Sequence, residues 1–272
     1  MHRMLPMKIT ALLGAIALSL ALQSTPAAAI TREEATVQNA TLVLRELQSM
    51  PDLQIPDLLL NRAEGLVILP GTVKIGLGLG ARFGSGVLLV RRPDGSWSNP
   101  VFVGTGAGSI GWQIGGQVAD IVLVFTTRSS VEGIGDGKIT LGGDASVATG
   151  PVGRTAMAST SLTFDAEIYA YSRTRGLFAG LSLEGSGIFV SDRANRRFYG
   201  RRMVPSDIIA SRDPPPVPAP ELVSEVKRIT MAAVRHPATG SAEEPPAAGP
   251  TTPPAEARTY PMADPEPGAE PR

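Results

Sequence analysis

The chain contains no cysteine, and its two histidines, His2 and His236, sit near the ends of its 272 residues. Disulfide frameworks, thiol nucleophiles, Ser-His-Asp and Cys-His machinery, and His/Cys zinc sites are thereby excluded, because each needs one or both residue types inside a folded core. Aromatic side chains make up 5% of the residues, with two tryptophans, which leaves little for the stacking walls of a sugar-binding cleft. Excess charge of one sign is missing as well, since 25 basic residues balance 25 acidic ones. No nucleic-acid partner is expected, because that function shows as a strong basic excess. The chemistry left is carboxylate-based, Ser-Lys-based, or none, and no motif calls for a cofactor or a metal. Gly106-x-Gly108-x-x-Gly111 matches a dinucleotide fingerprint by letter. Its glycines lie inside β-like sequence with another strand expected to follow, so that reading is rejected.

What the chain does have is glycine. Of its 30 glycines, 25 fall between Gly65 and Gly187. Many recur at every second position of apolar runs, as in Gly76, Gly78 and Gly80, in Gly104, Gly106 and Gly108, and in Gly185 and Gly187. Alternate residues of a strand share a face, so each such run has one face without side chains. A bare face lets another backbone, a covering element or a ligand approach closely. The expected fold is α+β: a strongly curved, largely antiparallel glycine-rich sheet or barrel-like core with N-terminal and C-terminal flanking helices.

Residues 1–29 read as a secretory signal peptide. Arg3 and Lys8 charge its start, Ile9 to Leu22 is mostly apolar, and Ala27-Ala28-Ala29 suits cleavage before Ile30. Export to a bacterial periplasm is the expectation, with peripheral membrane association. A domain follows over 30–212. Thr31 and Glu34 have capping-box spacing ahead of a helical stripe, and a short second helix carries Leu58, Leu59 and Leu60. Strands are expected over 66–69, 73–81, 86–90, 101–110, 114–126, 139–147, 162–172 and 177–190. Pro93-Asp94-Gly95 marks a hairpin turn beside Trp97, and 192–199 and 205–211 read as closing helices. From 213 to 272 the chain is Pro-rich, holding 15 of the 24 prolines, and is expected to be largely disordered. One island, 221–235, places Leu222, Val226, Ile229 and Ala233 on one helical face. It docks on the domain or, with Lys227 and Arg228, touches a membrane.

A series of landmarks runs in order from about 63 to 200. They include Ala63-Glu64-Gly65 into Leu69-Pro70, Gly84-Ser85-Gly86-Val87-Leu88, Trp97-Ser98-Asn99-Pro100 and Ile114-Gly115-Gly116-Gln117. Gly150-Pro151-Val152-Gly153-Arg154, Tyr171 to Gly180, Ser182 to Gly185 and Phe198-Tyr199-Gly200 complete them. This stretch resembles the SYLF domain, a family of lipid-binding modules found in bacterial secreted proteins and in eukaryotic membrane-trafficking and actin-patch proteins. The resemblance implies binding of membrane lipids, with phosphoinositides bound by eukaryotic members and actin by some. The sequence departs from those members in its exported start and in lacking an adjoining SH3 or FYVE-type module. Anionic phospholipid or another amphipathic envelope molecule is therefore the expected ligand.

Anionic head groups need bases, and arginine's planar fork donates two parallel hydrogen bonds to phosphate. The candidate lipid-binding residues are Lys74, Arg154, Arg173, Arg175, Arg193, Arg196, Arg197, Arg201 and Arg202, with no catalytic or metal-binding residue assigned. Solvated surface charge and structural ion pairing are the competing readings for each. Asp120, Asp165, Glu167 and Glu184 are the carboxylates available to a hydrolase, a reading kept behind two others. The leading one is non-enzymatic binding of an anionic amphiphile through a basic surface beside the glycine-rich sheet. The second is an envelope scaffold that recruits a protein partner through the Pro-rich tail.

Overall fold

Thr31 opens the first helix through the capping box its spacing predicts. Its hydroxyl accepts from Glu34 N at 3.2 Å and the Glu34 carboxylate accepts from Thr31 N at 2.7 Å. This computed structural model describes residues 29–51, 53–135, 138–150, 165–176 and 185–235. Helix α1 (Arg32–Ser49) buries Val37, Ala40, Val43, Leu44 and Leu47. Helix α2 (Asp57–Arg62) buries Leu59 and Leu60, while Leu58, expected to pack with them, is 45% exposed. The end of α2 is held by Arg91, which donates to the carbonyls of Leu60 and Asn61 and lies over the Trp97 ring.

The sheet is built around one long antiparallel pair, β1 (Gly65–Val90) and β2 (Val101–Phe125). Its register runs from Gly65 opposite Phe125 to Leu88 opposite Val101. The separate strands expected over 66–90 and 101–126 are thus two continuous ones, because the glycines bend the backbone without ending the ladder. Strand β1 folds back along itself: Arg91 N donates to Glu64 O at 2.8 Å, and the Ile68–Leu69 backbone rests on Gly86. Around the bend, β2 advances four positions (Ile110 to Ile114) while β1 advances two (Leu77 to Leu79). Strands β3 (Lys138–Thr140), β4 (Val147–Thr149), β5 (Ile168–Gly176) and β6 (Gly187–Val190) complete the order β3-β6-β2-β5-β4, with β1 on β2. Counting the halves of the two bent strands separately gives an eight-stranded sheet curled into a half-barrel. All pairings are antiparallel except β4 with β5.

Residues opposite one another in a ladder share a face, so the register sorts the side chains into two sets. One face carries Leu66, Ile68, Val87, Leu89, Phe102, Val122 and Val124 under α1, α2 and the C-terminal helix. The other carries Val67, Leu69, Leu88, Val103, Ile121 and Leu123 against α3 (Arg128–Gly135) and α5 (Pro205–Ala210). On this second face Thr72 and Thr105 converge on Gly84: a Cβ there would lie 2.6 Å from Thr72 Oγ1. Such crowding marks the inside of the curl, so the face under α1, α2 and the C-terminal helix is the outer one.

Several expectations shift. The strand expected over 139–147 is interrupted at Gly142-Gly143-Asp144, where Gly142 has φ +79° and the Thr140 amide donates to Asp144 at 2.7 Å. Of the strand expected over 162–172, residues 165–167 stand outside β5. The residue span 177–184 lies outside the described residues, as do 1–28 and 236–272. Helix α6 (Ala219–Arg235) forms where the apolar stripe predicts, and it docks. Leu222, Val226, Ile229 and Ala233 are buried in the outer-face core. Trp97 Nε1 donates to Thr230 Oγ1 at 3.1 Å, and Asn61 donates to the Ala233 carbonyl. The compact unit therefore runs past the 212 boundary drawn from composition and includes this helix.

Two measurements test this packing. Ala at Gly86 would collide with the Ile68 carbonyl oxygen, whereas a Cβ at Gly108 meets nothing within 4 Å. Gly86→Ala is expected to cost about 3 kcal/mol as overpacking, and Gly108→Ala less than about 1 kcal/mol in either direction, both read by chemical denaturation. Glu225 accepts from Arg228 at 2.6 Å and faces Arg45 at 3.5 Å. The Arg228 hydrogen bond first, and then the charges of both arginines, hold its carboxyl below the ordinary glutamate value against the opposing effect of burial. A carboxyl depressed in the folded state stabilises above its unfolded pKa of about 4.3 and loses that stabilisation as pH falls. Melting temperature should therefore drop more steeply below about pH 4.5 in the wild type than in Glu225→Gln.

Candidate functional site

Helix α4 (Asp192–Tyr199) is fixed to the outer face by its inward side chains. Asn195 Oδ1 accepts from Phe102 N at 2.8 Å, and the Phe198 ring lies 5.0 Å from Phe102. Tyr199 OH donates to the Pro100 carbonyl at 2.7 Å, and burial pushes its phenol well above the ordinary range. With that side anchored, Arg193, Arg196 and Arg197 face solvent. Gly200, at φ +67°, ends the helix and sends the chain into exposed Arg201 and Arg202.

These five arginines divide in two. Arg197 donates to Glu33 Oε1 through Nε at 2.8 Å and Nη2 at 2.7 Å, and Glu33 is buried in the first turn of α1. Arg197 therefore ties α4 to α1. Among the described residues Arg193, Arg196, Arg201 and Arg202 have no carboxylate partner, and the one acid beside them in sequence is Asp192. The result is a concentration of uncompensated positive charge within ten residues of chain.

The outer face continues past α4 as a bare ledge. Phe189 of β6 stands opposite Gly104, and its ring covers the glycine so closely that a Cβ at 104 would lie 2.6 Å from it. One row further, Phe83 of β1 stands opposite Gly106, which in turn faces Gly187. Beyond them Gly108 looks into open space. Phe83 is 50% exposed and Phe189 41%. Ile75 and Val118, on the same face across the hairpin, are exposed too. The alternating glycines were readable from sequence. The two phenylalanines projecting beside them were missed, although Phe83 and Phe189 each follow the period-2 pattern of their strands.

Arg173, Arg175 and Lys74 lie elsewhere in the sheet. Arg173 shares the outer face with position 175, as their spacing predicts, and stands opposite Asp120 while Arg175 stands opposite Val118. Arg173 Nη2 donates to Asp120 at 2.7 Å and to Glu46 of α1 at 2.5 Å, which raises its pKa. It bridges sheet and helix, and its two carboxylates outweigh its charge. The side chain of Arg175 and the whole of Arg154 lie outside the described residues. Lys74 stands opposite Gln117 on the inner face, away from the α4 arginines. That face holds a further cation that sequence reasoning missed: Arg82, 8% exposed, donates to Ser186 Oγ at 3.2 Å, and burial lowers its pKa.

Among the described residues, Asp120, Asp165 and Glu167 do not assemble a catalytic pair. Asp120 is taken up by Arg173 and by Gly71 N at 2.9 Å. Glu167 accepts from Ser146 N, Asp165 is exposed, and neither lies in a strand; Glu184 is outside the described residues. Among the described residues no group of three His, Asp or Glu side chains could hold a metal, and no helix is long and apolar enough to cross a membrane. A groove of about 960 Å³ between α3, α5 and the hairpin turn has an apolar floor including Val90, Val131 and Ile209. Its cations are internally engaged: Arg128 with Glu64 and Glu132, Arg212 with Asp94, and Arg92 with the Ile209, Trp97 and Ser211 carbonyls.

Residues 106–229 match the family model described as "Ysc84: Las17-binding protein actin regulator". The chain is 37% identical over 191 residues to human SH3 domain-containing YSC84-like protein 1, covering 68% of this chain and 56% of that protein. It is 38% identical over 170 residues to the Xenopus laevis protein of the same name, covering 60% and 50%. To LAS seventeen-binding protein 3 of Saccharomyces cerevisiae it is 40% identical over 168 residues, covering 61% of this chain and 36% of the other. The chain thus spans about half the length of the animal relatives and about a third of the yeast one.

The two classes of arginine on α4 predict opposite outcomes. Arg197→Ala leaves buried Glu33 without its partner and should cost about 1–2 kcal/mol. Arg196→Ala should change stability by less than about 0.5 kcal/mol. Thermal melts of the two variants check this directly.

Proposed function

Because this chain carries a Ysc84 (SYLF) domain, we propose that it binds the surface of anionic lipid membranes through Arg193, Arg196, Arg201 and Arg202, without catalysing a reaction. The observation that carries this reading is the set of four arginines that no described carboxylate neutralises, two on α4 and two just after its Gly200 cap, with the inner side of the helix locked to the sheet. Structural arginines in this chain are engaged: Arg92 with carbonyls, Arg128, Arg173, Arg197 and Arg212 with acids. Four that are left open on one short segment contribute nothing evident to stability, and their shared chemistry suits phosphate head groups. Each base near an anionic leaflet contributes about 1 kcal/mol, so four together support reversible surface attachment. The signal-like opening supports export, which makes an envelope membrane the surface in question.

The family model is described by Las17 binding and actin regulation, and the relatives are named for an SH3 domain and for LAS seventeen binding. The chain spans only part of those relatives, and the lipid reading rests on charge and geometry.

Vesicle flotation tests it. Wild-type protein should float with phosphatidylglycerol-containing vesicles at low salt, remain unbound with phosphatidylcholine alone, and lose affinity as salt rises. Replacing Arg193, Arg196, Arg201 and Arg202 together with glutamine should reduce anionic-vesicle binding by about 100-fold or more while leaving the melting temperature unchanged. Equal binding to neutral and anionic vesicles, or full binding by the quadruple variant, would refute the assignment.

A further inference from the structure

We propose that Phe83 and Phe189 insert into the lipid interface, making the bare glycine ledge of the outer face the membrane-penetrating part of the domain. The inference rests on the lipid reading above and adds depth and orientation to it. Phe189 and Phe83 flank the glycine rows on β6 and β1, opposite Gly104 and Gly106 respectively. Both are large, apolar and about half exposed, at 41% and 50%, where a sheet face normally carries polar side chains. Glycine accounts for the exposure: neither Gly104 nor Gly106 has a side chain to cover the neighbouring rings. Phe189 partly rests on Gly104, which holds it in place before any membrane is met.

Charge complementarity names the occupant. Helix α4 covers the next row of the same face, where Phe198 packs on Phe102, and it begins three residues after Phe189 in the chain. The open arginines therefore border the ledge. A surface that pairs exposed aromatic rings with adjacent cations fits the boundary of an anionic bilayer, with rings at the glycerol level and guanidinium groups among phosphates. Lys138 supports the arrangement, since its aliphatic chain covers Gly187 on the same face while its ammonium extends the basic border. A protein partner is the competing occupant, and it predicts a different outcome below.

The absence of cysteine makes the test clean. Phe83→Cys, Phe189→Cys and, on α3, Ser129→Cys are each labelled with a polarity-sensitive fluorophore and mixed with phosphatidylglycerol/phosphatidylcholine vesicles containing brominated lipid. The expected result is a blue shift and bromine quenching at 83 and 189 and neither at 129. In parallel, Phe83→Ser and Phe189→Ser, with melting temperatures near wild type, should each weaken vesicle binding roughly tenfold without altering its salt dependence. Vesicle binding with unshifted, unquenched probes at 83 and 189 overturns insertion and leaves the arginine assignment standing. Failure of the wild type to bind any anionic vesicle overturns both, and points to a protein on this ledge.

Discussion

The fold depends on how closely backbone can approach the faces of its two long strands. Gly86 admits the Ile68–Leu69 backbone, and Gly84 admits the side chains of Thr72 and Thr105. A methyl group at 86 is incompatible with the position of the Ile68 carbonyl. Because the ladder between β1 and β2 persists through this fold-back, a single hairpin supplies half of the curled sheet. The curl then creates two chemically distinct surfaces. The inner one holds buried Thr72, Arg82, Thr105 and Gln117 alongside an apolar core. The outer one is covered by helices at one end and left bare at the other.

Helix attachment follows from that division. Helices α1, α2 and α6 settle on the outer face through Val37, Leu44, Leu59, Leu222 and Val226. They are tied together by Arg45 with Glu221 and Glu225 and by Arg91 at the end of α2. Helix α4 occupies the border of the covered region, anchored by Asn195 and Phe198 and clamped to α1 by Arg197. Its other arginines are left facing outward next to the uncovered glycine rows. The proposed membrane-facing surface is thus a consequence of where helical cover stops, which explains why charged and apolar groups meet there.

Much of this was legible in sequence where local rules decide. The Thr31/Glu34 cap, the 192–199 helix and the docking stripe of 221–235 follow helical spacing alone. The curvature followed from the alternating glycines, and the shared face of positions 173 and 175 from their period of two. What sequence could not supply were the long-range partners. Arg173 and Arg197 look like their neighbours in the chain, and only the fold brings Glu46 and Glu33 to them. Lys74 likewise belongs to the inner face because of the register shift between Leu69 and Thr72, which no local pattern announces. The apolar ledge was hidden for a related reason: Phe83 and Phe189 lie far apart in sequence, and the β2 glycines between them bring both to one surface.

Hydrogen exchange measured with and without anionic vesicles reports the contacted surface without altering the chain. Slowed exchange is expected, on vesicle binding, in peptides covering 187–204 and 81–85, with α3 and the 91–97 turn unchanged. Slowed exchange confined to α1, α6 or the α3–α5 groove would contradict the lipid reading.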